Sequence, residues 1–104
     1  MPNLYFRRGL VLTDGNDLQG ARKEFLAAAE EASHFPLAET RQEFLVRSHN
    51  ALGIIAWNEH QYTEAMGWLT MAEEEQTRAG GNWVPDLTAN RKRLEAIMDS
   101  SDLR

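Results

Sequence analysis

Residues 8–28 read RGLVLTDGNDLQGARKEFLAA and residues 52–72 read LGIIAWNEHQYTEAMGWLTMA. The second stretch repeats the pattern of the first at a displacement of 44 positions. Gly9 meets Gly53, Leu12 meets Ala56, Leu18 meets Tyr62, Ala21 meets Ala65, Phe25 meets Leu69 and Ala28 meets Ala72, with Tyr5 and His49 paired just upstream. In each copy the glycine precedes the first alanine by 12 residues, a larger apolar residue follows that alanine by four, and a second alanine follows it by seven. Spacings of three, four and seven place residues on one face of a helix. A glycine opposite a bulky side chain lets two helices cross closely where any Cβ would hold them apart. Each copy therefore reads as a helix, a short turn and a second helix.

Outward from the repeat, the punctuation divides the rest. Thr13-Asp14-Gly15-Asn16-Asp17 is a cluster of turn formers, Gly80-Gly81 is a second break, and Pro36 and Pro85 suit the start of a helix. Between them stand good helix formers, and no alternating β-branched run suggests a strand. Five helices are predicted: about Asn3–Thr13, Leu18–Ser33 with Asp17 as N-cap, Leu37–Glu59, Tyr62–Ala79, and Pro85–Asp99. Apolar stripes follow in each: Leu18, Ala21, Phe25, Ala28 and Ala32 in the second, Phe44, Leu45, Leu52, Ile55 and Ala56 around Ser48 in the third, and Tyr62, Ala65, Met66, Leu69 and Ala72 in the fourth. The fold class is all-α, a single domain over 1–104 of antiparallel helical hairpins. Repeat one covers about 2–36 and repeat two about 37–80. A capping helix at about 85–99 carries Leu87, Leu94, Ile97 and Met98.

This pattern resembles the tetratricopeptide repeat, whose bulky residue, Leu-Gly, Tyr, Ala, aromatic and Ala recur in order. Leu52-Gly53, Tyr62, Ala65, Leu69 and Ala72 carry the resemblance in the second copy, and Tyr5, Gly9, Ala21, Phe25 and Ala28 in the first. Arg8 stands where leucine is usual, and Leu12 and Ala56 stand where tyrosine is usual. The unit is longer than the family's roughly 34 residues, which places the extra length in longer helices. The resemblance implies a short right-handed solenoid whose first helices line a concave groove. It puts Asn3, Phe6, Leu10, Thr13 and Asp14, and then Arg47, Asn50, Ile54, Trp57 and Asn58, at groove positions. Phe6, Leu10, Ile54 and Trp57 make that groove apolar, and Arg47, Asn50 and Asn58 offer hydrogen bonds to a peptide. The family's carboxylate clamp is not expected, because Phe6 and Leu10 stand at two of its polar positions. Trp68, Met71 and Trp83 are expected to form a second apolar patch under the capping helix.

Composition narrows the function classes. The 104 residues carry 16 acidic and 11 basic side chains, a formal net charge of -5, which disfavours a nucleic-acid partner. With no cysteine there are no disulfides, thiolate metal sites or cysteine nucleophiles. No apolar run approaches the ~20 residues needed to cross a bilayer, and no signal peptide is visible, so no membrane partner and a cytoplasmic setting are expected. His34, His49 and His60 lack metal-ligand spacing, and His49 reads as a packing residue. The serines have no nucleophile-elbow context, and Glu73-Glu74-Glu75 reads as a solvated face. No cofactor and no catalysis are expected. The reading is a non-enzymatic adaptor or chaperone-like module that binds an apolar peptide or helix of a protein partner. The alternatives are a self-assembling module forming homo-oligomers, or a regulatory fragment of a longer protein.

Overall fold

The computed structural model describes residues 4–102, so Asn3 lies outside the described residues. They form five helices and, among the described residues, no strand: α1 Leu4–Asp14, α2 Leu18–Ser33, α3 Ala38–Asn58, α4 Tyr62–Ala79 and α5 Leu87–Asp102. Each helix packs on the next along the chain. The helices build an elongated slab of 47 × 32 × 18 Å. α3 and α5 each start two residues after Pro36 and Pro85, so the prolines end the preceding loops instead of opening the helices. Leu37, the N-cap of α3, is extended, and the Arg41 guanidinium secures the bend by donating to the Phe35 carbonyl at 2.7 Å.

The 44-residue displacement holds at the level of single bonds. In the α1–α2 turn, the Gly15, Asn16, Asp17 and Ala21 amides donate to the carbonyls of Val11, Thr13, Leu12 and Asp17. In the α3–α4 turn, Glu59, His60, Gln61 and Ala65 donate to Ile55, Trp57, Ala56 and Gln61, the same four bonds 44 positions on. Asn16 and His60 occupy the same left-handed conformation, at φ 64° and 61°. Each turn needs that one reversed residue to bring the second helix back along the first. Asp17 caps α2 through its carboxylate, which accepts from the Gly20 amide at 3.0 Å; Gln61 offers α4 no such bond.

Inside each hairpin the glycine crossing is equally conserved in form. A Cβ on Gly9 would lie 2.6 Å from the Phe25 ring, and one on Gly53 would lie 2.8 Å from the Leu69 side chain. Small and large residues interlock at the same two positions of both hairpins. Two apolar clusters result. In one, Ala21 and Phe25 of α2 pack with Leu52 and Ile55 of α3, joined by Phe6, Leu12, Leu18, Ala51 and Trp68. In the other, Val46 and Ala56 of α3 pack with Ala65, Leu69 and Ala72 of α4 and Leu87 and Leu94 of α5. α3 contributes to both, so it buries residues on more than one face, Val46, Leu52, Ile55 and Ala56 among them, while α2 and α4 carry one stripe each.

Polar contacts close the seams. Arg22 on α2 donates to Glu59 at 2.7 Å and also to Glu64, and Gln19 donates to Glu59 at 2.7 Å, so the first hairpin is tied to the turn and fourth helix of the second. These bonds raise the Arg22 pKa above its ordinary value. Hydrogen bonding to Arg22, and then to the Trp68 indole, holds Glu64 below the usual carboxylate range. Glu73-Glu74-Glu75 is not a wholly solvated face. Glu73 pairs with Arg91 of α5 at 2.6 Å, and Glu75 meets Nδ1 of the buried His49 at 2.7 Å, leaving Glu74 exposed. Each outer glutamate finds a partner because α3 and α5 flank α4 on different sides.

Candidate functional site

A cavity of about 350 Å³ lies between α1, α3 and the α4–α5 loop. Phe6, Leu10 and Thr13 of α1 form one wall, and Arg47, Asn50, Ala51 and Ile54 of α3 form the other. Trp83, Val84 and Pro85 of the loop close one side, and Phe25 and Ile55 lie at its base. The opposed pairs are repeat equivalents, because Phe6 matches Asn50 and Leu10 matches Ile54 at the 44-residue displacement. One helix face, used twice, therefore builds both walls.

The aromatic floor is well defined. The Phe6 ring lies 5.3 Å from that of Phe25, tilted by 60°, and 6.0 Å from that of Phe44, edge-on at 72°. The Thr13 hydroxyl donates to the Gly9 carbonyl at 2.8 Å and is satisfied within its own helix. Polar character is confined to the α3 wall. Arg47 pairs through Nη2 with Glu43 at 3.0 Å, while its Nε and the Oδ1 of Asn50 are enclosed without a hydrogen-bond partner. Enclosed polar atoms without partners cost about 1–3 kcal/mol each.

The loop wall is held by a single side chain. Gln76 of α4 donates to the Val84 carbonyl at 3.1 Å and accepts from the Val84 amide at 2.8 Å. Gly80 ends α4 in the left-handed conformation at φ 71°. Gly81 lets the Trp83 ring lie on the backbone, since a Cβ there would come within 2.5 Å of it.

Of the sequence-derived groove residues, Phe6, Leu10, Arg47, Asn50 and Ile54 meet at this cavity, together with Thr13. Trp57, Asn58 and Asp14 are not among its lining residues. Trp57 is half-buried against the cluster of α3, α4 and α5 residues that holds Leu87 and Leu94, whereas its counterpart Thr13 lines the cavity. Asn58 and Asp14 end their helices exposed. Trp68, Met71 and Trp83 do not form one patch under α5. Trp68 stacks on His49 with ring centroids 5.4 Å apart and shares a shallow surface hollow with Met71, whereas Trp83 stands at the cavity. The sequence signal for the loop wall is Trp83-Val84-Pro85, one residue after Gly80-Gly81.

Among the described residues, no group of three or more His, Asp or Glu side chains is placed to hold a metal ion. No helix among them is long and apolar enough to cross a membrane. The structure thus defines the class: a small all-α protein of two equivalent hairpins and a fifth helix, with one apolar trough between its first helices. Comparison with known proteins finds no matching family model, no matching curated protein and no matching solved structure.

Proposed function

We propose that this chain is a non-enzymatic, tetratricopeptide-like interaction module of the cytoplasm that holds an apolar segment of a protein partner in the trough between α1 and α3. The observation that carries this reading is the trough itself, in which apolar side chains from both hairpins and from the anchored loop surround an open volume of about 350 Å³. That volume accommodates one or two large apolar side chains, and displacing water from such a surface drives binding. Arg47 and Asn50 add directionality. An occupant that draws either side chain toward it supplies the partner that Arg47 Nε or Asn50 Oδ1 lacks within the chain. The resemblance of the repeat to a family of peptide-binding solenoids supports the same reading.

Selection from a displayed library of short peptides tests it. Sequences bearing two or more large apolar residues should be enriched on the wild-type chain. Leu10→Asp should weaken their binding by about tenfold or more, since it sets a charge on an apolar wall. Leu10 is 46% exposed, so its replacement spares the packed core. Absence of enrichment, or binding indifferent to Leu10→Asp, would contradict the proposal.

A further inference from the structure

Consecutive helices pack in a zigzag within a slab 18 Å thick, which sets α1 and α3 on one side of the seam between the hairpins and α2 and α4 on the other. The trough opens on the first side, between α1 and α3. On the second side Arg22 of α2 reaches across the same seam. Its Nη2 donates to Glu59 in the α3–α4 turn at 2.7 Å, its Nη1 donates to Glu64 of α4, and Gln19 donates to Glu59 at 2.7 Å. Between the trough and these bonds lies the apolar packing of Ala21 and Phe25 on Leu52 and Ile55. The seam therefore has an apolar pivot, an opening on one side and an ionic latch on the other.

The repeat shows that this latch is not a general feature of the packing. Met66 stands 44 positions after Arg22 and packs against the cluster that holds Leu87 and Leu94. The seam of α4 with α5 thus has an apolar side chain where the seam between the hairpins has a charge. An isolated exposed ion pair contributes little. Here one guanidinium, 24% exposed, is shared by two carboxylates, and Glu64 also accepts from the Trp68 indole at 3.2 Å. A planar fork held at two points fixes the position of α2 against both the turn and α4.

We infer that Arg22 is a positioning residue for the trough: by tying α2 to the second hairpin on the far side of the pivot, it keeps α1 and α3 apart. The consequence for binding rests on the reading of the trough as the binding site. Phe6 and Leu10 on one wall and Ile54 on the other gain by closing together and expelling water, and the latch opposes that closure. Without it the first hairpin rolls about the α2–α3 packing, the trough narrows, and an occupant has to reopen it.

The chain has no cysteine, so spin labels attach only where cysteines are introduced. A pair at Asp14→Cys and Asn58→Cys, the exposed and equivalent ends of α1 and α3, reports the width of the trough. A pair at Asp14→Cys and the exposed Lys23→Cys reports the first hairpin alone. In Arg22→Gln the first distance should shorten and its distribution broaden, while the second distance and the circular dichroism stay unchanged. Glu59→Gln combined with Glu64→Gln should reproduce the same shift. Affinity for a library-selected apolar peptide should fall at least about fivefold in both variants. An unchanged Asp14–Asn58 distance in either variant would overturn the inference, as would a shortened distance with undiminished affinity. Absence of peptide binding by the wild type would instead contradict the trough reading, and the distances alone would then judge the latch.

Discussion

The two hairpins share a backbone and differ in what surrounds it. Their turns repeat hydrogen bond for hydrogen bond, and their glycines sit against the same position of the following helix. Yet the first closes over an aromatic ring, Phe25, and the second over Leu69. The first hairpin has a neighbour on one side only, whereas the second lies between α2 and α5. Backbone geometry in this molecule is set by a few small and turn-forming residues. Function is set by which side chains the surroundings leave uncovered. The trough uses equivalent positions left open in both hairpins, Phe6 with Asn50 and Leu10 with Ile54, whereas the outer face of α1 is open at Val11 where its equivalent Ile55 is closed.

The largest expected effects break that comparison at its cores. Phe25→Ala should cost about 3–5 kcal/mol and Leu69→Ala about 2–5 kcal/mol in urea unfolding. The distribution should differ more than the totals. Loss of Phe25 removes the ring against Gly9 and Phe6, so amide exchange should quicken throughout α1 while α4 and α5 stay protected. Loss of Leu69 loosens the cluster that holds α5, so protection should fall in α4 and α5 instead. Equal loosening of both hairpins by either substitution would show that they are not separate packing units.

A smaller effect sharpens the comparison at the turns. Asn and His both occur in the left-handed conformation more often than other non-glycine residues, but Asn visits it more readily because its short side chain hydrogen-bonds locally. His60→Gly relieves the steric cost of that conformation but removes the contact of His60 Nδ1 with the Tyr62 hydroxyl at 3.0 Å and the edge-on ring pair, so any net gain should stay below about 1 kcal/mol once the added freedom of the unfolded glycine is allowed for. Asn16→Gly should lie close to zero. Denaturant midpoints of the two variants measure the difference, and a greater gain at Asn16 would contradict the assignment of strain to His60.

Much of this architecture was readable in the residues. The helix limits follow from Asp17, Gly80 and the turn cluster at 13–17, because local chemistry alone stops or starts a helix there. That Phe6, Leu10, Asn50 and Ile54 share a groove was implied by the resemblance to the tetratricopeptide repeat, and the displacement of 44 carried the same groove positions from one copy to the other. Trp57 shows where that logic ends. Its position is equivalent to Thr13, but a fifth helix covers only the second hairpin, and no spacing within the repeat encodes that cover. The loop wall of Trp83, Val84 and Pro85 depends on Gln76 reaching eight residues along the chain to Val84. The pairs Glu73–Arg91 and Glu75–His49 join different helices, so their partners emerge only once α3, α4 and α5 are packed.

The trough is the central claim, and nuclear magnetic resonance on the isotope-labelled chain tests it most directly. Titration with the strongest library-selected apolar peptide should shift the amides of Phe6, Leu10, Asn50, Ile54 and Val84, and leave those beside Met71 on the far surface of α4 unmoved. Shifts confined to the Trp68–Met71 hollow, or scattered evenly over all five helices, would contradict the account.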